Sequence, residues 1–192
     1  MKIYDISKEL FSASIYPGDP IPNVEIILSL EKQPPDICQL SCIQMGSHTG
    51  THLDAPRHFL KDGKDVSAIS LERCLGICRV VSYEGVIDRC KIDEWIKESV
   101  TKILVRGNVE ISPSLAHYIV DCGVECIGVE MSTIAIGDKQ TEVHQILLKG
   151  GVVILEGLSL EDTQDGKYFL CALPLKMAGV DGSPVRAVLI DF

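Results

Sequence analysis

Short apolar runs, separated by glycine, proline and charged residues, are the main pattern along this chain. Runs of about four to eight residues rich in Ile, Val and Leu are typical of β-strands, and Gly and Pro mark the turns between them. The runs that fit this description predict nine strands. They lie at residues 3–6, 24–30, 38–45, 79–83, 102–106, 126–130, 152–155, 168–172 and 185–190.

Helical patterns are fewer than strand patterns. In the second of three predicted helices, Ser112 suits the N-cap, Pro113 suits the first helical position, and Gly123 suits the end. The third predicted helix is followed by two glycines, which are typical of a helix C-terminus. We predict the helices at residues 92–98, 113–123 and 141–149.

The order of the elements predicts the class of fold. Between residues 102 and 155, apolar strands alternate with helices. This alternation favours parallel strands that are buried on both faces and covered by helices. The first half of the chain lacks helices and should supply antiparallel strands. Because no linker and no internal repeat interrupts the sequence, we expect a single α/β domain with a mixed sheet over residues 1–192.

The composition excludes several classes of protein. Of 192 residues, 46% are hydrophobic and only 5% are aromatic, so Ile, Leu and Val must build the core. The net charge of −9 comes without a basic stripe, which argues against binding to nucleic acid. No apolar run approaches the ~20 residues of a membrane span, and the N-terminal segment lacks an apolar signal core. We therefore expect a cytoplasmic protein that binds neither nucleic acid nor membranes.

Eight cysteines are present, and six of them form three pairs spaced i, i+4. None of the pairs has the Cys-x-x-Cys spacing of zinc ribbons and thioredoxin-like motifs. Because most of their neighbours are apolar, we expect buried free thiols that pack as small hydrophobic groups. A redox role and a metal-binding role are the alternatives, and we assign the cysteines no chemistry.

Three of the five histidines are concentrated in residues 47–58. His48, His52, Asp54 and His58 lie within eleven residues of one another. Glycine and proline in this segment argue against a helix, so we expect a tight loop after the third strand. Imidazole and carboxylate groups without thiolate are typical ligands of catalytic Zn, Mn or Fe. A polar loop of hydrogen-bonded histidines is the alternative interpretation.

Two further candidates lie far along the chain. His144 is on the third predicted helix among apolar neighbours, where a buried structural histidine is the common case. Glu156 ends an apolar strand, and a buried carboxylate is costly unless it is paired or bound to a metal. With Asp54 as a bridge, these two residues would hold a second metal ion. His117 has no acidic or histidine partner nearby in the sequence, and we interpret it as a packing or surface residue.

The histidine segment resembles the signature of a known family. Residues 48–58 match the pattern His-x-Gly-Thr-His-x-Asp-x-Pro-x-His of the cyclase-like metal-dependent hydrolases. This family includes bacterial kynurenine formamidases and isatin hydrolases. Weaker matches lie before and after this segment and keep the family's order along nearly the whole chain. They lie at residues 16–19, 151–157, 172–176 and 181–187.

The resemblance implies a role for each candidate ligand. His48, His52 and Asp54 match the first metal site of the family. His144 and Glu156 match the pair that, together with Asp54, holds a second metal ion in formamidases. The implied cofactor is a divalent metal, Zn or Mn, with one or two ions per chain.

The resemblance also implies residues that act outside the ligand sets. His58 matches the catalytic general acid/base. Tyr16 matches a substrate-binding position that is aromatic, often Trp, in formamidases, and Phe59 is a candidate substrate contact because it adjoins His58. The implied fold is the swivelling β/β/α type of kynurenine formamidases and cyclases, and the implied assembly is a homodimer or homotetramer.

These expectations describe a metal-dependent amidohydrolase. We expect it to cleave the carbon–nitrogen bond of a small amide, first of all an aryl formamide as in tryptophan catabolism, with metal-activated hydroxide and His58 as general acid/base. The second possibility is a one-metal, Mn-dependent hydrolase of lactams or isatins, in which His144 and Glu156 orient the substrate. The third is a metal- or ligand-binding protein without turnover, which leaves His58 unexplained.

Overall fold

A nine-stranded mixed sheet forms the centre of the molecule. The computed structural model describes all 192 residues. Nine of its thirteen strands form one sheet in the order β1-β13-β11-β5-β7-β9-β10-β4-β12, while β2 pairs with β3 and β6 with β8. The strands are β1 (Lys2–Asp5), β2 (Asn23–Leu28), β3 (Leu40–Gln44), β4 (His52–Asp54), β5 (Leu75–Ser82), β6 (Gly85–Val86), β7 (Lys102–Arg106), β8 (Val109–Glu110), β9 (Cys126–Val129), β10 (Val153–Glu156), β11 (Gly166–Cys171), β12 (Gly182–Pro184) and β13 (Val188–Asp191).

Parallel strands occupy the middle of the sheet. β5, β7, β9 and β10 run parallel to one another. Antiparallel strands flank them, with β11, β13 and β1 on one side and β4 and β12 on the other. β9 is buried along its whole length, as expected for a strand covered on both faces. The prediction of an α/β fold with a mixed sheet is confirmed.

Three helices pack on one face of this sheet. They are α1 (Arg89–Trp95), α2 (Pro113–Asp121) and α3 (Gln140–Lys149). α2 begins as predicted, because the Ser112 side chain accepts the backbone N–H of Leu115 and Pro113 occupies the first turn. None of the helices combines the length and the apolar character needed to cross a lipid bilayer. The cytoplasmic location stays a prediction.

The sheet separates two hydrophobic cores. On the helix side, Ile103, Ile127 and Ile154 pack with buried residues of α1, α2 and α3. On the opposite side, Leu104 and Leu155 pack with residues of the antiparallel strands of this curled sheet. Each buried side chain of this size contributes about 1.5–3 kcal/mol relative to an exposed one. Successive residues of a strand therefore serve different cores.

The histidine segment differs from its prediction as a tight loop. Its centre is β4, a three-residue strand that lies between β10 and β12. The apolar pattern could not reveal this strand, because two of its three residues, His52 and Asp54, are polar. The strand predicted at residues 185–190 is also different. Residues 185–187 lie outside any strand, after β12 ends at Pro184, and the strand β13 begins only at Val188.

The cysteines are all free, as expected, but their predicted burial is only partly right. Cys74, Cys78 and Cys126 are buried, and burial raises the pKa of the Cys74 and Cys78 thiols to about 12. Such thiols are unreactive at neutral pH. The prediction is wrong for three exposed cysteines, which lie in the connection between β2 and β3, in β3 itself and near the start of α1. These are Cys38, Cys42 and Cys90.

Candidate metal centre

Strand pairing brings three candidate ligands to one face of the sheet. β4 runs antiparallel to β10, with His52 opposite Glu156 and Asp54 opposite Ile154. Leu53, between the two polar residues of β4, points to the opposite face and packs in the second core. His52, Asp54 and Glu156 are 3%, 1% and 4% exposed. The register therefore places one imidazole and two carboxylates together in the interior.

The loop before β4 positions His48 next to Asp54. Gly50 in this loop has a φ of 65°, and the Thr51 hydroxyl donates a hydrogen bond to the backbone oxygen of Gly157. Gly157 has a φ of 68°, and a Cβ at this position would lie 2.5 Å from the backbone oxygen of Gly50, so the loop and the end of β10 fit closely. As a result, His48 Nδ1 lies 2.9 Å from Asp54 Oδ1.

Helix α3 supplies the fourth side of the site. Val143 and Leu147 anchor the helix in the core, and His144 between them is 1% exposed. His144 Nε2 lies 3.2 Å from Glu156 Oε1 and 3.7 Å from Asp54 Oδ2. The structure thus brings together all five candidate ligands named from the sequence. They are His48, His52, Asp54, His144 and Glu156.

Asp54 lies between two groups of potential ligands. Its Oδ1 faces His48 and His52, whereas its Oδ2 faces His144. One group consists of His48, His52 and Asp54, and the other of Asp54, His144 and Glu156. Within each group the donor atoms lie within 4.8 Å of one another. A carboxylate that offers one oxygen to each group is suited to bridge two cations.

Protein acceptors orient two of the histidines. His52 Nδ1 lies 2.9 Å from the backbone oxygen of Gly50, and His144 Nδ1 lies 2.7 Å from that of Gln140. When Nδ1–H donates to a carbonyl, Nε2 of the neutral ring keeps its lone pair, which is the form that binds a metal. Both Nε2 atoms face the buried carboxylates.

Two buried atoms of this site lack any hydrogen-bond partner, namely His52 Nε2 and Asp54 Oδ2. Only one other buried side-chain atom, Arg79 Nε, shares this state. Buried polar atoms without partners are costly, and so are neighbouring buried carboxylates without a compensating charge. A divalent cation satisfies both requirements. The residues therefore fit the metal that the sequence implies.

A short helical turn after β4 carries His58 and Phe59. The His58 ring stacks on His48 with a centroid distance of 3.8 Å, and Phe59 stacks on His144 at 4.3 Å. His58 Nδ1 lies 3.3 Å from Asp181 Oδ2, an atom that is also 3.1 Å from His48 Nε2. Asp181 is a site residue that was not among the candidates identified from the sequence. Its only signal was its place in a weak family match.

The two stacked histidines have opposite shifts of pKa. Burial lowers the pKa of His48, but hydrogen bonds and charges from Asp54 and Asp181 outweigh burial and raise it to about 9. At His58, burial prevails and holds the pKa below its usual value. Burial raises the pKa of Asp181, yet hydrogen bonds from His48 and Ser47 lower it to about 2. At neutral pH, His58 is therefore a neutral base beside an ionised carboxylate.

A cavity of about 210 Å³ opens onto these groups. It is smaller than the ~300–1,000 Å³ of typical ligand pockets, so it favours a small substrate. Every site residue named from the sequence lines it except Asp54, which is 1% exposed. Tyr16 is 40% exposed, and its hydroxyl lies 3.2 Å from Gln140 Oε1. His117 is exposed on α2 and does not line the cavity.

The molecule has a mixed sheet, and buried histidines and carboxylates that could hold a metal lie next to a small cavity. These features are those of an α/β enzyme that uses a divalent metal. Residues 4–135 match the family described as Putative cyclase. The chain belongs to this family. The resemblance carried by the histidine segment is therefore confirmed.

Individual relatives agree with this assignment. Kynurenine formamidase of Bacillus cereus is 33% identical in an alignment of 201 positions that covers 96% of this chain and 95% of that protein. A solved structure described as a potential metal-dependent hydrolase with cyclase activity is 27% identical, with a TM-score of 0.82 and coverage of 98% and 96%. Isatin hydrolase A of Labrenzia aggregata, at 21% identity, a TM-score of 0.80 and coverage of 98% and 93%, shares the fold. The predicted hydrolase class is confirmed.

Proposed function

We propose that this protein is a metal-dependent amidohydrolase whose substrate is a small aryl formamide. The observation that carries the proposal is the position of Asp54, whose two oxygens face two sets of buried ligand atoms close to the neutral His58. The identity of 33% to kynurenine formamidase over nearly the whole chain favours a formamide among small amides.

Two metal ions per chain are the cofactor that the ligand arrangement supports best. His48, His52 and Asp54 would hold one ion, and Asp54, His144 and Glu156 would hold the other. We propose Zn or Mn, because imidazole and carboxylate ligands suit both metals. When bound, these ions supply the Lewis acidity that lowers the pKa of a water molecule and polarises a carbonyl.

His58 acts as the general acid/base in the proposed reaction. Hydrolysis adds water to the formyl carbon, breaks the bond between this carbon and nitrogen, and leaves the amine in need of a proton. His58 accepts a proton from the attacking water and returns it to the amine nitrogen. Its place in the cavity wall, its side-chain exposure of 29% and its lowered pKa all suit a base that is neutral at neutral pH.

Tyr16 and Phe59 are the proposed substrate contacts. Both line the cavity, and they are the only two hydrophobic residues among those that line it. The Phe59 ring is already stacked on His144, so it forms a fixed wall. The Tyr16 ring is 40% exposed, and its hydroxyl lies 3.2 Å from Gln140 Oε1, so it is the more accessible of the two rings. We propose that Tyr16 sets the preference among aryl groups.

We also propose a homodimer or homotetramer, with neither nucleic acid nor membranes as partners. One face of the hairpin of β2 and β3 exposes Val24, Ile26 and Ile43 by 43%, 58% and 56%. A lone two-stranded hairpin is marginally stable, and exposed apolar patches are typical of interfaces. A second copy of the chain is the proposed occupant, since most oligomers are symmetric.

A panel of substrates tests the proposed function. Aryl formamides, isatins and cyclic amides are each offered to protein loaded with Zn or with Mn. We expect hydrolysis of the aryl formamides and little turnover of the others. Preference for isatins with a single Mn ion would favour the lactam-hydrolase alternative. If no substrate of the panel is hydrolysed while metal is bound, the result would favour a binding protein without turnover.

A further inference from the structure

One carboxylate oxygen lies between the two stacked histidines of the site. Asp181 Oδ2 is 3.1 Å from His48 Nε2 and 3.3 Å from His58 Nδ1. The two rings lie 29° from parallel. The same oxygen is therefore within hydrogen-bond distance of one nitrogen on each ring, while the other nitrogen of His48, Nδ1, lies 2.9 Å from Asp54 Oδ1.

Two further hydrogen bonds fix the position of Asp181. Ser47 Oγ donates to Asp181 Oδ1 at 2.9 Å, and the backbone oxygen of Asp181 accepts the N–H of Ala55 at 2.9 Å. Gly182 follows in β12, opposite Asp54. A Cβ at Gly182 would lie 2.5 Å from Cε1 of His48, so glycine lets the imidazole rest against the strand. Asp181 is thus fixed relative to the metal-ligand strand β4.

We propose that Asp181 is a positioning residue that accepts the outer ring N–H of both His48 and His58, and thereby fixes the nitrogen that each presents to the site. This inference rests on the proposed function, in which His48 is a metal ligand and His58 the general acid/base. An ionised carboxylate can only accept hydrogen bonds, so both His48 Nε2 and His58 Nδ1 must carry the proton that is donated to Asp181.

The consequences differ for the two rings. With Nε2–H donated to Asp181, His48 keeps the lone pair of Nδ1, the atom that lies 2.9 Å from Asp54 Oδ1 in the first ligand group. With Nδ1–H donated to Asp181, His58 keeps the lone pair of Nε2 for proton transfer. The ligand and the base are thereby oriented by one group, in the way that carboxylates orient histidines at metal and catalytic sites.

Asp181→Asn is the variant that tests this inference. Its amide keeps the shape of the carboxylate but has one acceptor oxygen and one donor nitrogen. To the two rings it therefore presents either a neutral oxygen, which is a weaker acceptor than a carboxylate, or an N–H donor, so the hydrogen bonds to both rings are weakened or lost. Asp65→Asn is the matched control. Asp65 Oδ2 accepts the N–H of Gly179, close to Asp181 in sequence, and it contacts no histidine of the site.

Three measurements are made on wild type and both variants. Metal affinity is measured by competition with a chromophoric chelator, kcat and KM are measured on an aryl formamide at saturating metal, and ¹⁵N NMR of histidine-labelled, zinc-loaded protein identifies the protonated ring nitrogens. For Asp181→Asn we expect an affinity loss of about 10- to 100-fold. We also expect kcat to fall about 100-fold with KM nearly unchanged, and the ring N–H pattern to change.

The control is expected to keep native affinity, kcat and ring N–H signals. Native metal affinity or native kcat in Asp181→Asn would overturn the inference. A lower number of bound metal ions in Asp181→Asn would also overturn it. That result would mean that Asp181 binds a metal directly, together with His48 and His58. If wild type hydrolyses no formamide, the proposed function fails, yet the affinity and NMR measurements still decide the role of Asp181.

Discussion

Single ring nitrogens decide what each histidine does in this site. His48 and His58 are stacked at 3.8 Å, yet Asp54 and Asp181 raise the pKa of the first, whereas burial lowers that of the second. His52 is oriented through the backbone oxygen of Gly50. Similar side chains therefore serve as ligands or as a base according to the acceptors around them.

Replacing His58 separates catalysis from metal binding. His58→Ala is expected to retain the full metal content, because His58 belongs to neither proposed ligand set, while kcat falls by about 10²–10⁴-fold through loss of proton transfer. Elemental analysis and steady-state kinetics measure the two effects. His117→Ala, at an exposed position on α2, is the matched control and should keep native values. Near-native turnover of His58→Ala would refute its assignment as the acid/base.

Metal binding is expected to release protons below about pH 9. The pKa of His48 is raised to about 9 in the metal-free site, so a metal must displace its proton at neutral pH. Apparent affinity should rise with pH, by about tenfold per unit for each proton released, and level off above pH 9. The same shift stabilises the metal-free fold below about pH 6.5, and this stabilisation is lost as pH rises through about 9.

Calorimetric titrations in buffers with different heats of ionisation measure the released protons directly. The number released should be larger at pH 7 than at pH 9.5. Equal affinities across this range, without buffer-dependent heats, would mean that His48 is neutral before the metal binds.

The elements of the site act through close backbone contacts rather than through long loops. β4 is held by β10 on one side and β12 on the other, and the loop before it rests on the end of β10. The central contact is between Gly50 and Gly157, where a Cβ would lie 2.5 Å from a backbone oxygen. Small changes at this contact should move His48 relative to Asp54.

Gly157→Ala tests this contact. The new methyl group meets Gly50 and also requires a left-handed backbone at a φ of 68°, so we expect a loss of about 2–4 kcal/mol in the free energy of unfolding, together with weaker metal binding. Gly179→Ala is the control, because its φ is 80° but nothing lies within 4 Å of the added Cβ. It should lose only about 1–2 kcal/mol and keep native metal affinity.

Denaturant unfolding and chelator competition measure both variants of this pair. Equal losses of stability in the two variants, with metal affinity unchanged, would show that the loop does not depend on its contact with β10.

At the scale of the whole molecule, the features that could be predicted from the sequence are those that depend on residues close together in the chain. β7 and β9 were visible as apolar runs, and the ligands of β4 were visible because they cluster within one segment. Asp181 was not assigned, because it reaches His58 across 123 residues and only strand pairing shows this. The exposure of Cys38 was also missed, since an apolar neighbourhood in sequence does not reveal an unpartnered hairpin.

The hairpin of β2 and β3 is the proposed contact between subunits. The double variant Ile26→Lys, Ile43→Lys places two charges on its exposed apolar face, so we expect it to convert an oligomer to a monomer of 21.0 kDa. Light scattering after size exclusion measures the mass. Ile77→Lys, at a residue 52% exposed on the main sheet, is the control and should leave the oligomer intact. Dissociation by the control alone would assign the interface to the sheet instead.

The most direct test of metal-dependent hydrolysis is a titration of activity with metal. Metal-stripped protein is given increasing equivalents of Zn or Mn, and the rate of hydrolysis of an aryl formamide is recorded at each step. The rate should be negligible without metal and should reach a plateau at about two equivalents per chain, because Asp54 joins two ligand groups. A rate that is independent of metal, or no rate when the metal is bound, would contradict the proposed function.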